Sequence, residues 1–261
     1  MQTPFLWSGI SILLWKTGTG YRQFLQILLQ RSQAHPLNIT MIKCGLDNLN
    51  RCVHLTMVTF NVALKTLSVP NVDHCLQDQM DMFTPHASQW QTFKYDCDES
   101  DDVSLVTALL ANLSVPILES FNLHLSLPAH SEDGGAFKIL EGGAPKLWNV
   151  SICGIHPFTC LPPLSSVTTL HIGAGPDKMS GNEFLYILQS FVTLTSLDLD
   201  GSVVSPYDLH LLGMQGENVK IARLRLLSFA AEALPRYCID GILDIIRCPA
   251  IKSINISRLN S

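Results

Sequence analysis

Charge is what this chain has least of. Asp, Glu, Lys and Arg make up 15% of its 261 residues, while hydrophobic residues reach 47%. Soluble domains usually carry about 25% charged residues. Disorder as a general state is excluded, because disordered chains are charge-rich and poor in apolar side chains. A coiled coil is excluded with it. With Gly 16 and Pro 14, a collagen-like rod is excluded too. No Lys/Arg cluster occurs and the net charge is −5, so the basic footprint that neutralises nucleic-acid phosphates is missing. Acidic membrane surfaces are disfavoured for the same reason. No apolar run reaches the length of about 18 residues that a membrane-spanning helix needs.

Recognisable chemistry is also scarce. The eight cysteines (Cys44, Cys52, Cys75, Cys97, Cys153, Cys160, Cys238 and Cys248) contain no CxxC, which excludes zinc-ribbon and thioredoxin-type sites. They are too sparse for a disulfide scaffold and read as buried, reduced thiols of a cytoplasmic or nuclear protein. No GxSxG, GxxxxGK[ST] or full GxGxxG is present, and Thr17-Gly18-Thr19-Gly20 reads as a turn. Cys153, His156 and Cys160 carry donor atoms, but their spacing fits no zinc finger, and the repeat described below puts Cys153 just past a strand. Asp96 to Asp102 holds five acids in seven positions without the glycine and later glutamate of a calcium loop. It reads as a solvated loop before a helix N-terminus. The nine histidines pair with no evident nucleophile and acid. No enzyme activity, cofactor or metal is expected.

The stretch from Phe5 to Trp15 is mostly apolar and could pass for a signal-peptide core, but no positive charge precedes it, and a buried strand explains it equally well. Four Asn-x-Ser/Thr sequons (Asn38, Asn112, Asn149 and Asn255) keep a secreted repeat protein as the alternative reading. A hydrolase with an unrecognised site ranks below both.

What the chain does have is a repeat. An apolar-x-x-apolar-x-apolar unit recurs as Trp90-Phe93-Tyr95, Leu118-Phe121-Leu123, Leu147-Val150-Ile152 and Val167-Leu170-Ile172. It continues as Leu194-Leu197-Leu199, Ile221-Leu224-Leu226 and Ile251-Ile254-Ile256. Upstream, Trp7-Ile10-Ile12 and Pro36-Ile39-Met41 fit the same frame. The first of these would be an exposed edge if nothing covered it. Residues 42–89 are less regular, with Met57-Phe60-Val62 as a possible strand.

Helical stripes lie between the units: Tyr21, Phe24, Leu25, Leu28 and Leu29; Val72, Cys75, Leu76, Met80 and Phe83; Leu105, Ala108 and Leu109; Phe184, Ile187, Leu188 and Phe191; Ile239, Ile242, Leu243 and Ile246. Ser180 and Glu183 have capping-box spacing. Ser205-Pro206 is a cap followed by proline at the first helical position, and Pro249 stops the last stripe. The step from Leu147 to Val167 leaves no room for a full helix, so a short turn is expected near Pro157, Pro162 and Pro163.

Strand plus helix about every 27 residues predicts one α/β domain over 1–261, a leucine-rich-repeat-like solenoid with a curved parallel sheet. The segments "FLWSGISIL" (5–13), "LLQRSQAHPLNITM" (28–41, with Arg31-Ser32 and Pro36-Leu37), "SQWQTFKYD" (88–96) and "EGGAPKLWNVSICGI" (141–155) resemble fungal F-box proteins with a leucine-rich-repeat-like C-terminal region. The resemblance implies a substrate-recognition region of a ubiquitin-ligase receptor. Only six residues precede Trp7, so a Skp-type adaptor is implied only if an F-box lies upstream.

The residue between the last two apolar positions of each unit alternates away from the core. These residues are Ser11, Thr40, Lys94, Asn122, Ser151, His171, Asp198, Arg225 and Asn255, with Asn149, Ser196 and Arg223 on the same face. A polar ladder across the concave face predicts a non-catalytic module that binds a protein or peptide through Lys94, Asn122, Ser151, His171, Asp198, Arg225 and Asn255.

Overall fold

The computed structural model describes residues 9–13, 19–32, 35–43, 73–97, 103–125, 138–175, 177–215, 218–230 and 236–257. In chain order the elements are β1 (Gly9–Leu13), α1 (Thr19–Ser32), β2 (Leu37–Lys43), α2 (Asp73–Phe83), β3 (Trp90–Cys97) and α3 (Val103–Leu110). Next come β4 (Ser120–Leu125), β5 (Asn149–Cys153), β6 (Thr169–Gly173), α4 (Gly181–Gln189), β7 (Ser196–Asp200) and α5 (Pro206–Gln215). The last are β8 (Val219–Lys220), β9 (Leu226–Ala230), α6 (Arg236–Ile245), β10 (Ile246–Arg247) and β11 (Ser253–Ser257). Met57-Phe60-Val62 and Val72 lie outside the described residues.

Nine strands form one sheet in the order β1-β2-β3-β4-β5-β6-β7-β9-β11, and every pair is parallel. Spatial order thus follows chain order, and β8 and β10 make a separate two-stranded pair. Parallel neighbours require a crossover, and helices lie in the connections from β1 to β2, β2 to β3, β3 to β4, β6 to β7, β7 to β9 and β9 to β11. The short step before β6 carries only a 3₁₀ turn at Pro157–Thr159, as the spacing predicted.

Two apolar rows run across one face. Ile39, Phe93, Phe121, Val150, Leu170, Leu197 and Leu227 stand in register, as do Met41, Tyr95, Leu123, Ile152, Ile172, Leu199 and Phe229. All are buried. Each such side chain contributes about 1.5–3 kcal/mol of burial, so these two rows are the backbone of the core. In β11 the rows reach the surface: Ile254 and Ile256 are 45% and 44% exposed. Trp90, Phe93 and Phe121 stack, with ring centroids 5.2 and 5.7 Å apart.

The helices bury the stripes the sequence marks, with shifts. On α1 the buried residues are Leu25, Leu29 and Ser32, whereas Phe24 is 47% exposed. On α3 Val106, Thr107 and Leu110 are buried, the predicted Leu105 and Leu109 are half-buried against the core, and Ala108 is exposed. Thr19 and Gly20, predicted as turn, open α1 instead. On α4 the capping box is complete: Ser180 Oγ accepts from the Glu183 N–H at 3.3 Å, and the Ser180 N–H donates to Glu183 Oε2 at 2.8 Å. Ser180→Ala is expected to lower stability by about 1 kcal/mol, read as a lower urea midpoint at constant slope.

Glycine is required where strands end. Gly154 and Gly201 follow β5 and β7 at φ 75°, a left-handed conformation that other residues adopt at a cost. A Cβ at Gly154 would collide with the Leu125 carbonyl oxygen.

Candidate polar-face site

The opposite face of the sheet carries three rows. The middle row reads Ser11, Thr40, Lys94, Asn122, Ser151, His171, Asp198, Ser228 and Asn255. It is the predicted ladder with one correction: Ser228 stands where Arg225 was expected. Arg225 lies before β9. Its carbonyl accepts the Lys252 and Ser253 N–H groups at 2.8 and 3.0 Å, as the Thr195 carbonyl accepts those of Arg225 and Leu226. Arg225 therefore matches Thr195, three residues ahead of the ladder. Arg223 sits in the turn before it, not on the face.

The reason is an ambiguous apolar run. Ile221, Leu224, Leu226, Leu227 and Phe229 satisfy the repeat in two frames. The Leu224 N–H closes a turn on the Ile221 carbonyl at 3.3 Å, as Leu147 does on Ala144. Leu224-Leu227-Phe229 is therefore the true unit.

Two flanking rows complete the face. One reads Asn38, Thr92, Ser120, Asn149, Thr169, Ser196 and Leu226. Its cross-strand bonds include Thr92 Oγ1 donating to Asn38 Oδ1 and Asn149 Nδ2 donating to Ser120 Oγ, both at 2.9 Å. Among the sequon residues, Asn38 thus accepts through its amide oxygen and Asn149 donates through its amide nitrogen within the sheet. The other row reads Ile42, Asp96, His124, Cys153, Gly173, Asp200, Ala230 and Ser257.

Charged groups cluster twice. Lys94 Nζ lies 2.6 Å from Asp96 Oδ2, and His124 Nδ1 lies 3.8 Å from Asp96 Oδ1. Asp96 is thus part of β3 rather than of an acidic loop. Further along, His171 Nδ1 lies 2.9 Å from Asp198 Oδ2, and His171 also hydrogen-bonds Cys153. The bond to Cys153 contributes most to pushing His171 up to about 9; burial opposes it, and the Cys153 charge and Asp198 add to it. At neutral pH His171 is an imidazolium.

The repeat spacing puts Cys153 past its strand and so misses this second cluster. Cys153 is in fact the last residue of β5 and shares Ser151's face. The period-2 parity from Ser151 was the signal that could have shown it.

Cys153, His156 and Cys160 form no metal-binding group, nor does any other His, Cys, Asp or Glu set among the described residues. His156 Nε2 instead faces Glu183 Oε2 at 3.6 Å. Cys160 is fully buried, and burial pushes its thiol up to about 12. Cys97, Cys153, Cys160, Cys238 and Cys248 are in no disulfide.

The fold and its polar face define an α/β chain with an all-parallel sheet that alternates with helices. No helix among the described residues is long and apolar enough to cross a membrane. No family model, curated protein or solved structure matches this chain.

Proposed function

We propose that this chain is a non-catalytic protein-recognition module of leucine-rich-repeat type, a solenoid that docks a protein or peptide on the polar face of its sheet. The observation that carries the reading is the unbroken middle row, one non-apolar residue per strand from Thr40 to Asn255. Aligned side chains of mixed charge suit a polar, directional contact, and such repeats use the strand-lined face for binding. The contact residues are Lys94, Asn122, Ser151, His171, Asp198, Ser228 and Asn255. A Skp-type adaptor enters this reading only through an F-box upstream of these repeats.

The test is capture of partners by the wild type and by a Lys94→Glu/Asp198→Lys double variant. A third variant, Tyr186→Ser, changes an exposed residue of α4 (60% exposed) and serves as control. The reading expects the double variant to lose its captured proteins by about tenfold or more, the loss typical of truncated interface charges, and the control to keep them. Equal capture by all three would remove the polar face as the docking surface.

A further inference from the structure

We propose that Cys153 is a reactive thiol that exchanges with small-molecule disulfides, with His171 carrying the proton and Asp198 orienting the imidazole. The three residues lie on consecutive strands, β5, β6 and β7, on one face of the sheet. Cys153 stands opposite Gly173, and His171 stands opposite both Ser151 and Asp198. Gly173 makes room for the sulfur: a Cβ there would come within 2.7 Å of Cys153 Sγ. His171 lies two residues before Gly173, diagonal to Cys153, where cross-strand side chains reach each other. Its Nδ1 lies 2.9 Å from Asp198 Oδ2, and its interaction with Cys153 is the first cause of its raised pKa. Nucleophile, proton carrier and orienting carboxylate are thus neighbours on one face of the sheet.

The surroundings select the chemistry. Acyl transfer needs free donors for a developing oxyanion, and the backbone N–H groups of these strands are engaged in the parallel ladder. Disulfide exchange needs only a thiolate and a proton for the departing sulfur. Because His171 is already an imidazolium at neutral pH, Cys153 gives its proton to solvent, and His171 regains from solvent the proton it later donates. The thiolate attacks one sulfur of the incoming disulfide, a new S–S bond forms as the old one breaks, and the departing thiolate takes the proton from His171. One thiol and one disulfide become one mixed disulfide and one free thiol. Cys153 and Asp198 are both partly exposed, so a small disulfide reaches the sulfur. Cys160 and Cys238 are buried, and burial raises both thiols. His171 and Asp198 also stand in the docking row, but the exchange needs no docked partner.

The experiment exposes the full chain to oxidised glutathione at neutral pH, with acid quenching and peptide mass mapping. The rate at Cys153 is compared with that of the same cysteine in the urea-unfolded chain, which gives its unassisted reactivity. The folded protein is expected to react at least about tenfold faster, the range by which a neighbouring imidazolium activates a thiol. His171→Gln is expected to remove that gain. Asp198→Asn, which leaves the imidazole in place, is expected to reduce it several-fold, both variants keeping the wild-type circular dichroism. A folded rate no greater than the unfolded one, or an unchanged gain in both variants, overturns the proposal.

Discussion

Phe121→Ala is expected to lower the free energy of unfolding by about 3–5 kcal/mol, the range for deleting a buried phenylalanine ring. Phe121 has no exposed surface and ends the stack begun by Trp90 and Phe93. Its backbone is fixed between Phe93 on β3 and Val150 on β5. Main-chain pairing on both sides prevents the strands from closing over the gap, so most of the cavity persists and the cost falls toward the upper end. Phe121→Leu is expected to recover more than half of the loss, because it restores most of the volume. Urea unfolding of both variants checks this. A Phe121→Ala loss below about 1 kcal/mol would mean that the stack is not part of the cooperative core.

The second large effect is a stability that depends on pH through His171. Its folded value of about 9 lies above the ordinary value near 6.5. A group raised on folding stabilises fully below its unfolded value and loses that contribution as pH rises through its folded one. Wild-type stability is therefore expected to exceed that of His171→Gln by about 1–3 kcal/mol at pH 6, with Asp198's partial exposure setting the lower figure. The difference is expected to shrink between pH 6.5 and 9 and to vanish above. Because the bond to Cys153 is the largest contribution, Cys153→Ser is expected to remove more of the slope than Asp198→Asn. Urea midpoints taken at half-unit pH steps measure this. A wild-type advantage that grew with pH would reverse the assignment.

The repeat was legible because its physics is local. A strand that buries one face must alternate, and Leu118-Phe121-Leu123 or Leu194-Leu197-Leu199 state that alternation in three residues. The capping box at Ser180 and the proline at 206 mark helix starts by chemistry confined to one turn, and both helices begin there. Where two frames satisfied the same pattern, at Ile221 to Phe229, local physics could not choose. The hydrogen bonds that select Leu224-Leu227-Phe229 come from the neighbouring units, through Thr195 and Lys252. The helix faces drifted for a related reason. A stripe defines a helix, but contact with the sheet sets its rotation, which is how Phe24 came to be exposed and Val106 buried.

Alternation and capping act over a few residues, so the succession of strands and helices, with one apolar and one polar side per strand, is encoded segment by segment. Which polar residues meet is settled only when the strands pair. Ser228 entered the ladder in place of Arg225, and Cys153 came beside His171 and Asp198, because lateral pairing between strands distant in the chain sets the register, and register is a property of neighbouring strands that no single segment encodes.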